Sequence, residues 1–230
     1  MKRLYSYFTK GELALWISSV LLILISYIVF DRSSHLSLIA SLVGATSLIF
    51  CAKGNPFGQF LMIIFGALYA VISYSFAYYG EMITYLGMSV PMAIVSLISW
   101  LRNPYNGNKK EVKVNAIRKR EFKFLCVLTI IVTAVLYFIL DALGTRNMLV
   151  STFSVSTSFF AAYLTYRRSP YFALAYVLND IVLIVLWIFA SFYNISYLSV
   201  VICFIMFLFN DLYGFINWKR MQKRQSEENK

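Results

Sequence analysis

Eight long apolar stretches dominate the sequence and limit what the chain can fold into. A helix crosses the hydrocarbon core of a bilayer in about 20 residues, and these stretches do not alternate as strands would. Because only helices and closed barrels satisfy backbone groups in lipid, we expect an all-α, polytopic membrane protein with eight transmembrane helices. The composition agrees, with 60% hydrophobic and 13% charged residues. The expected spans are Leu13–Phe30, Leu36–Ala52, Phe57–Tyr79, Met82–Leu101, Phe122–Leu140, Met148–Tyr166, Tyr171–Tyr193 and Tyr197–Trp218.

The basic residues fall on one side of these spans. With a cytoplasmic N-terminus, the inside segments are 1–12, 53–56, 102–121, 167–170 and 219–230, and Lys123 begins the fifth span on the same side. Of all Lys and Arg residues, only Arg32 and Arg146 fall outside. Since positive residues resist translocation, we expect a multi-pass protein of the bacterial inner membrane with both termini in the cytoplasm and a retained first helix. The formal charge of +11 then indicates topology and not nucleic-acid binding. The basic loop 102–121 is interpreted as a topology anchor, with contact to anionic lipid as the alternative.

The two ends of the chain repeat a pattern. Pro56 precedes Trp100 by 44 residues, and Pro170 precedes Trp218 by 48. Spans two to four thus resemble spans six to eight, and one linker helix lets both triplets run in the same direction. Parallel repeats are common in transporters, where the substrate binds near the midplane between them. The expected segments are an extra N-terminal helix (1–35), a first triplet (36–104), a loop with the linker helix (105–146), a second triplet (147–220) and a tail (221–230).

Two Asn-Asp pairs interrupt the last two spans. Asn179-Asp180 lies in the seventh and Asn210-Asp211 in the eighth. A carboxylate near the bilayer centre costs about 2.5–3.5 kcal/mol and is tolerated only toward a bundle interior or a wet cavity. From the helical rise, we expect Asp180 near mid-membrane and Asp211 about 10 Å from the cytoplasmic edge.

Helical periodicity gathers further groups beside these pairs. Tyr176, Asp180 and Trp187 share a face of the seventh helix. Asn210, Tyr213 and Asn217 share a face of the eighth, with Asp211 and Trp218 on the adjoining stripe. We expect both helices to turn these groups toward a common space, where aromatic walls and amides would suit a heteroaromatic ligand. Taken singly, Trp100 and Trp218 are interpreted as interfacial anchors.

The sequence offers little for catalysis. The single histidine, His35, lies in a loop, and the three cysteines stand at no metal-ligand spacing. An intramembrane aspartyl hydrolase would use two aspartates, but those enzymes carry Gly-x-Gly-Asp where this chain has Phe209-Asn210-Asp211. The expected depths of Asp180 and Asp211 also differ. We expect no enzyme, no metal and no cofactor, with the hydrolase kept as the alternative from another class.

Four segments stand out together: Tyr79–Tyr85 (YGEMITY), Arg167–Tyr176 (RRSPYFALAY), Asn179-Asp180 and Asn210–Trp218 (NDLYGFINW). They resemble the corresponding segments of the PnuC nicotinamide riboside transporters. The resemblance implies a 3+1+3 helix core with an extra N-terminal helix, similar to a mirrored SWEET architecture. It also implies facilitated diffusion of nicotinamide riboside, trapped afterwards by a separate cytoplasmic kinase.

Site residues follow from the same resemblance. Direct contacts are expected from Asn179, Trp187, Asn210 and Tyr213, with Asp180 and Asp211 as polar support or gate groups and Tyr176 and Asn217 beside them. Secondary candidates are Glu81, Thr84, Tyr85, Trp100 and Trp218. Expected partners are the substrate, the lipid bilayer and a possible second copy of the chain. Thiamine or riboflavin as substrate, and a proton-coupled mode through Asp180, remain the alternatives.

Overall fold

The fold is a bundle of eight long helices. The computed structural model describes residues 7–75, 79–145 and 147–228, and within them eight helices are long and apolar enough to span a membrane, as the sequence predicted. The fourth, α4, is α-helical over Tyr79–Thr84 and Val90–Leu101, with a π-helical turn at Tyr85–Ser89 between them. The others are α1 Lys10–Phe30, α2 His35–Ala52, α3 Pro56–Ser75, α5 Lys119–Ala142, α6 Met148–Tyr166, α7 Tyr171–Ser191 and α8 Leu198–Glu227.

Three details differ from the expectation. Tyr79 begins the fourth helix and does not close the third, which is described up to Ser75. Residues 76–78 lie outside the described ranges, as do Lys2, Arg3, Arg146 and Lys230. The eighth helix continues to Glu227, because the charged residues and glutamines after Trp218 are good helix formers in water. The loop after α4 contains a small antiparallel hairpin, β1 (Pro104–Tyr105) and β2 (Asn108–Val112), so the chain is not purely α-helical.

The helix contacts reproduce the predicted repeat. α2, α3 and α4 form one triplet, and α6, α7 and α8 form the other. The third helix of each triplet packs against the first helix of the other, so α8 contacts α2 and α4 contacts α6. Helix α5 packs mainly on α6, and α1 packs on α8 and α2. This is the 3+1+3 arrangement with one extra helix.

Both triplets turn in the same way before their second helix. Gly54 (φ 65°) and Arg168 (φ 56°) adopt the left-handed conformation two residues before Pro56 and Pro170. Glycine adopts this conformation freely, whereas Arg168 is an uncommon residue for it. Pro56 then starts α3 and Pro170 is the N-cap of α7, positions at which the missing N–H of proline costs little.

Two tryptophans join the triplets at this end of the bundle. The Trp100 indole N–H donates to the Thr165 carbonyl (2.9 Å), and the Trp218 indole N–H donates to the Cys51 carbonyl (2.8 Å). Each accepting carbonyl lies five residues before the proline of its turn, in the last turn of a helix, where carbonyls lack intrahelical partners. Both indoles are 0% exposed, and their rings lie 5.3 Å apart. The interpretation of Trp100 and Trp218 as interfacial anchors is therefore wrong.

A second pair of hydrogen bonds follows the same pattern one residue away. Ser99 Oγ donates to the Tyr166 carbonyl (2.9 Å), and Asn217 Nδ2 donates to the Ala52 carbonyl (2.8 Å). Asn217 thus binds backbone at the contact between the triplets.

The paired geometry predicts paired effects on stability. Trp100→Phe and Trp218→Phe should each lower the free energy of unfolding by about 1–3 kcal/mol, because each removes a buried indole hydrogen bond and part of a buried ring. The Thr165 and Cys51 carbonyls keep only their backbone donors, the N–H groups of Arg168 and Gly54. Trp16→Phe is the matched control, since the Trp16 indole binds Thr46 at a partly exposed contact. Thermal unfolding in detergent measures all three. A Trp16→Phe loss as large as the other two would contradict the assignment.

Candidate functional site

A narrow cavity lies between the two triplets. Its volume is about 60 Å³, and its walls come from α2, α3, α4, α6, α7 and α8. Its apolar walls include Phe65, Phe204 and Phe207. The polar and phenolic residues that line it are Gln59, Tyr85, Ser89, Ser96, Ser158, Thr165, Tyr176, Asn179, Asp180 and Asp211.

The two aspartates lie together in this cavity. Asp180 is 3% exposed and Asp211 is 5% exposed, and their carboxyl groups are within hydrogen-bonding reach of each other. Asp180 Oδ2 has no hydrogen-bond partner among the described residues. The expectation of different depths is therefore wrong, because Trp218, from which the depth of Asp211 was measured, lies inside the bundle and α8 continues past it.

Asn179 is held rigidly beside this acid pair. Its side-chain oxygen accepts hydrogen bonds from Thr157 Oγ1 and Ser158 Oγ, both at 2.8 Å. Asn179 is buried, and two donors on one acceptor fix the orientation of its amide group. The cavity therefore holds a positioned amide next to two carboxyl groups.

The first triplet supplies side chains that the sequence analysis did not single out as site candidates. Gln59 of α3 is buried, and its amide contacts Cys51 Sγ at 3.2 Å. Ser96 Oγ is buried and has no hydrogen-bond partner among the described residues. The sequence marked these two residues as site candidates only weakly, because Gln59 is a lone amide in an apolar span and serines are common in membrane helices.

Buried aromatic rings flank the cavity at both ends. Beyond its Tyr85 end, the Tyr69 ring contacts the rings of Tyr85, Trp187 and Phe204 at centroid distances of 4.6, 6.1 and 5.9 Å. Toward the turns at Gly54 and Arg168, Phe172 contacts Trp218 at 4.9 Å. Aromatic rings therefore lie at both ends of the cavity.

Two of the expected contacts face another way. Asn210 Nδ2 donates to Ser19 Oγ of α1 (2.9 Å) and to the Met206 carbonyl (2.7 Å). The Tyr213 hydroxyl donates to Glu12 Oε1 of α1 (2.8 Å). Successive residues of a helix point about 100° apart, so Asn210 and Asp211 do not share a wall. The expectation that the Asn210 stripe of α8 faces the chamber is wrong, because α1 covers that stripe.

The remaining candidates divide between the cavity and its surroundings. Tyr176 and Tyr85 line the cavity. Trp187 lies one turn beyond it, packed on Tyr69 and Tyr197. Thr84 donates to the Gly80 carbonyl of its own helix (2.9 Å). Glu81 is buried outside the cavity, and its Oε2 has no partner among the described residues.

The loop after α4 crosses the bundle end that carries the two tryptophans. Val112 N–H donates to the Gly54 carbonyl (2.9 Å), and Asn115 N–H donates to the Arg168 carbonyl (3.0 Å). The loop therefore binds the equivalent turn of each triplet. Beside it, Lys53 forms an ion pair with Glu12 (3.0 Å). The two loop bonds link the triplets at this end, and the ion pair links the first triplet to α1.

The charge of the cavity is one-sided. Among the described residues that line it, Asp180 and Asp211 are acidic and none is Lys, Arg or His. Within the described ranges, no group of three His, Cys, Asp or Glu is placed to hold a metal ion. The arrangement therefore favours an organic cation with hydrogen-bonding groups.

Comparisons with known proteins agree with this architecture. The family model described as "Nicotinamide mononucleotide transporter" matches residues 34–220. The "Nicotinamide riboside transporter PnuC" of Neisseria mucosa is 29% identical, over 98% of this chain and 87% of that protein. The protein of the same name from Haemophilus influenzae is 23% identical, over 91% of this chain and 90% of that protein.

A solved structure extends the likeness to the fold. The "Crystal structure of the Vitamin B3 transporter PnuC" superposes with a TM-score of 0.83 at 26% identity, over 95% of this chain and 94% of that chain. The matched residues of the family model contain both triplets and leave α1 outside. The chain therefore belongs to the nicotinamide mononucleotide transporter family, to which its sequence resemblance to the PnuC proteins pointed, and it is a multi-pass membrane transporter and not an enzyme.

Proposed function

We propose that the protein carries nicotinamide riboside across the bacterial plasma membrane by facilitated diffusion, and that the substrate binds between the triplets at Asp180 and Asp211. The single observation that carries this proposal is the buried acid pair in a cavity without a lining cation. The names of the relatives supply the substrate. The basic residues at one end of the bundle favour cytoplasmic termini.

The acid pair has the right charge for this substrate. Two bare carboxylates in contact repel each other strongly in a low dielectric, so such a pair holds one proton between its members. One negative charge remains. The pyridinium ring of nicotinamide riboside carries one positive charge, and its binding would neutralise a charge that is costly in the membrane.

The same charge distinguishes a nucleoside from a nucleotide. The description of the family names nicotinamide mononucleotide, whereas the names of the relatives give nicotinamide riboside. A phosphate monoester carries about −1.5 to −2 charges at neutral pH, and Asp180 and Asp211 would repel it with no lining cation to compensate. We therefore infer that the riboside is carried and the mononucleotide is not.

Neighbouring groups suit the rest of the molecule. Asn179 and Gln59 offer amides for the carboxamide and ribose hydroxyls, and Tyr85 and Tyr176 offer rings for stacking on the pyridinium, which aromatic faces attract. Thiamine is also a cation and remains the alternative substrate. Riboflavin is uncharged and would leave the acid pair unneutralised.

Transport requires the cavity to widen. A volume of about 60 Å³ is well below the roughly 300–1,000 Å³ of ordinary ligand pockets. We infer that the triplets rock about their contact and open one aromatic end at a time, as in other repeat transporters. After release, phosphorylation by a separate kinase would trap the product inside, because the product carries the excluded phosphate.

Two other modes have distinct requirements. The two carboxyl groups lie close together, as an aspartyl hydrolase would require, but the sequence lacks the Gly-x-Gly-Asp motif of those enzymes at Asp211.

Proton coupling through Asp180 would make uptake into vesicles depend on a pH gradient, whereas facilitated diffusion would not depend on one. A homo-oligomer remains a prediction.

Substrate charge gives the first test. Calorimetric titration of the purified protein should detect binding of nicotinamide riboside and at least tenfold weaker binding of nicotinamide mononucleotide. Nicotinic acid riboside, which replaces the amide by a carboxylate at nearly the same size, should also bind at least tenfold more weakly. Thiamine and riboflavin complete the series. Equal affinity for riboside and mononucleotide would contradict the charge argument.

Substitution of the acid pair gives a second test. Asn resembles a protonated Asp in size, so Asp180→Asn or Asp211→Asn alone should leave one ionisable carboxyl and change riboside affinity by less than about fivefold. The double variant removes the charge and should weaken binding by about 10- to 100-fold, from about 1.5–3 kcal/mol for a hydrogen bond to a charged group. Asp31→Asn, at a buried position outside the cavity, is the control. A double variant that binds as the wild type does would refute the site.

Asn179 lines the cavity, whereas Asn210 faces α1, and this contrast gives a third test. Asn179→Ala should weaken riboside binding by about fivefold or more, the value of a buried hydrogen bond of about 1 kcal/mol. Asn210→Ala should instead lower the thermal unfolding temperature with little change in affinity, since Asn210 joins α8 to α1. Titration and thermal unfolding of both variants measure this. If Asn210→Ala costs more affinity than Asn179→Ala, the cavity wall has been misassigned.

A further inference from the structure

A groove on the outer surface of the bundle is separate from the transport cavity. It has a volume of about 810 Å³ and lies between α5 and α7, with α6 as its floor. Phe122, Phe160, Leu174, Leu178 and Ile181 are among its apolar walls. None of the residues lining this groove lines the transport cavity. The groove is therefore a separate feature of the outer surface.

The groove has the dimensions of a lipid chain. It extends along α7 from Tyr171 to Ile181, about 15 Å at the rise of an α-helix, which is about half of a hydrocarbon core of 30 Å. Leu178 is 54% exposed and Phe122 is 49% exposed, so its walls face outward from the bundle. An acyl chain of one leaflet fits this depth.

The mouth of the groove carries positive charge. Lys119 and Lys123 lie one helical turn apart on α5 and both line the groove. Arg118 and Arg120 flank them in the sequence and are exposed. The nearby acid, Glu121, is ion-paired with Arg167, and this bond raises the pKa of Arg167. The lysines are thus not neutralised by Glu121.

Two further groups at the mouth suit an anion. Helix α5 begins at Lys119 without a side-chain cap from Arg118, which leaves first-turn N–H groups and the positive end of the helix dipole available. Ser169 lines the groove and is 1% exposed, and its hydroxyl has no hydrogen-bond partner among the described residues. A phosphate oxygen would satisfy both kinds of donor.

We propose that this groove binds an anionic phospholipid, with an acyl chain between α5 and α7 and the phosphate at Lys119, Lys123 and the start of α5. The charge decides the occupant. A second copy of this chain packing through an apolar helix face would need no lysines at one end of the groove, whereas an anionic headgroup at the membrane surface does.

The probe is phosphatidylglycerol, compared with phosphatidylcholine, measured as protein-bound lipid by native mass spectrometry of the detergent-purified chain. The wild type should retain phosphatidylglycerol preferentially. Each lysine near an anionic headgroup contributes about a factor of five in affinity, so Lys119→Gln with Lys123→Gln should weaken the preference by about 25-fold. Lys109→Gln with Lys113→Gln, two exposed lysines beyond the groove, removes the same charge and should keep the preference.

Filling the groove provides a test that leaves the charge unchanged. Leu178→Trp should reduce bound phosphatidylglycerol several-fold, whereas Leu149→Trp, at an exposed position on α6 outside the groove, should not. Riboside binding reports that each variant is folded. The proposal is overturned if the wild type retains both lipids equally, or if both lysine pairs matter equally. It is also overturned if Leu178→Trp dissociates a dimer while lipid binding stays unchanged, which would assign the groove to a second copy.

Discussion

The structure depends on hiding two carboxyl groups from lipid. Asp180 and Asp211 stand in helices that are otherwise apolar enough to cross a membrane, where an exposed carboxylate costs several kcal/mol. The bundle meets this cost by placing the two groups against each other between its triplets, beside Asn179, whose amide is fixed by two hydroxyls. The cavity that results is lined by two acids and hydrogen-bonding groups, and none of the described residues that line it is a cation. That lining is the basis of the substrate class proposed above.

The repeat explains how such a cavity could open and close. Equivalent tryptophans, Trp100 and Trp218, bind carbonyls of the opposite triplet at equivalent positions, and one loop binds both equivalent turns. The contacts on either side of the pseudo-symmetry axis are therefore of similar kind. Helix α1 stands outside this repeat and binds both triplets, α8 through Glu12 and Ser19 and the first triplet through the Lys53–Glu12 ion pair and the Trp16–Thr46 hydrogen bond.

Much of the fold was readable because apolar length and basic asymmetry are strong signals. Eight spans followed from them, and the repeat with its linker helix followed from the similar spacing of Pro56 from Trp100 and of Pro170 from Trp218. The hairpin after α4 was missed although Asn106-Gly107, a common type of tight-turn pair, has the positive φ values of such a turn. The length of α8 was missed because a search for apolar residues ends at Trp218, whereas helix propensity continues beyond it.

The site was only partly predictable, because the sequence does not give the rotation of each helix about its own axis. Sequence identifies which residues share a face of a helix, but it does not say which face meets which neighbour. Asp211 and Asn210 are adjacent in sequence, and only packing determines that Asp211 faces α7 while Asn210 faces α1. For the same reason Trp100 and Trp218 suggested an interface with lipid, although they form an interface between triplets. Gln59 and Ser96 entered the cavity wall with no motif to mark them.

The central claim is that the acid pair is where the substrate binds. The most direct measurement is an experimental structure of the protein with nicotinamide riboside bound at saturating concentration. Ligand density is expected between the triplets, with the pyridinium ring in contact with Asp180 or Asp211 and the cavity widened to hold it. Density outside this chamber, with the two carboxyl groups still packed against each other and no ligand beside them, would contradict it.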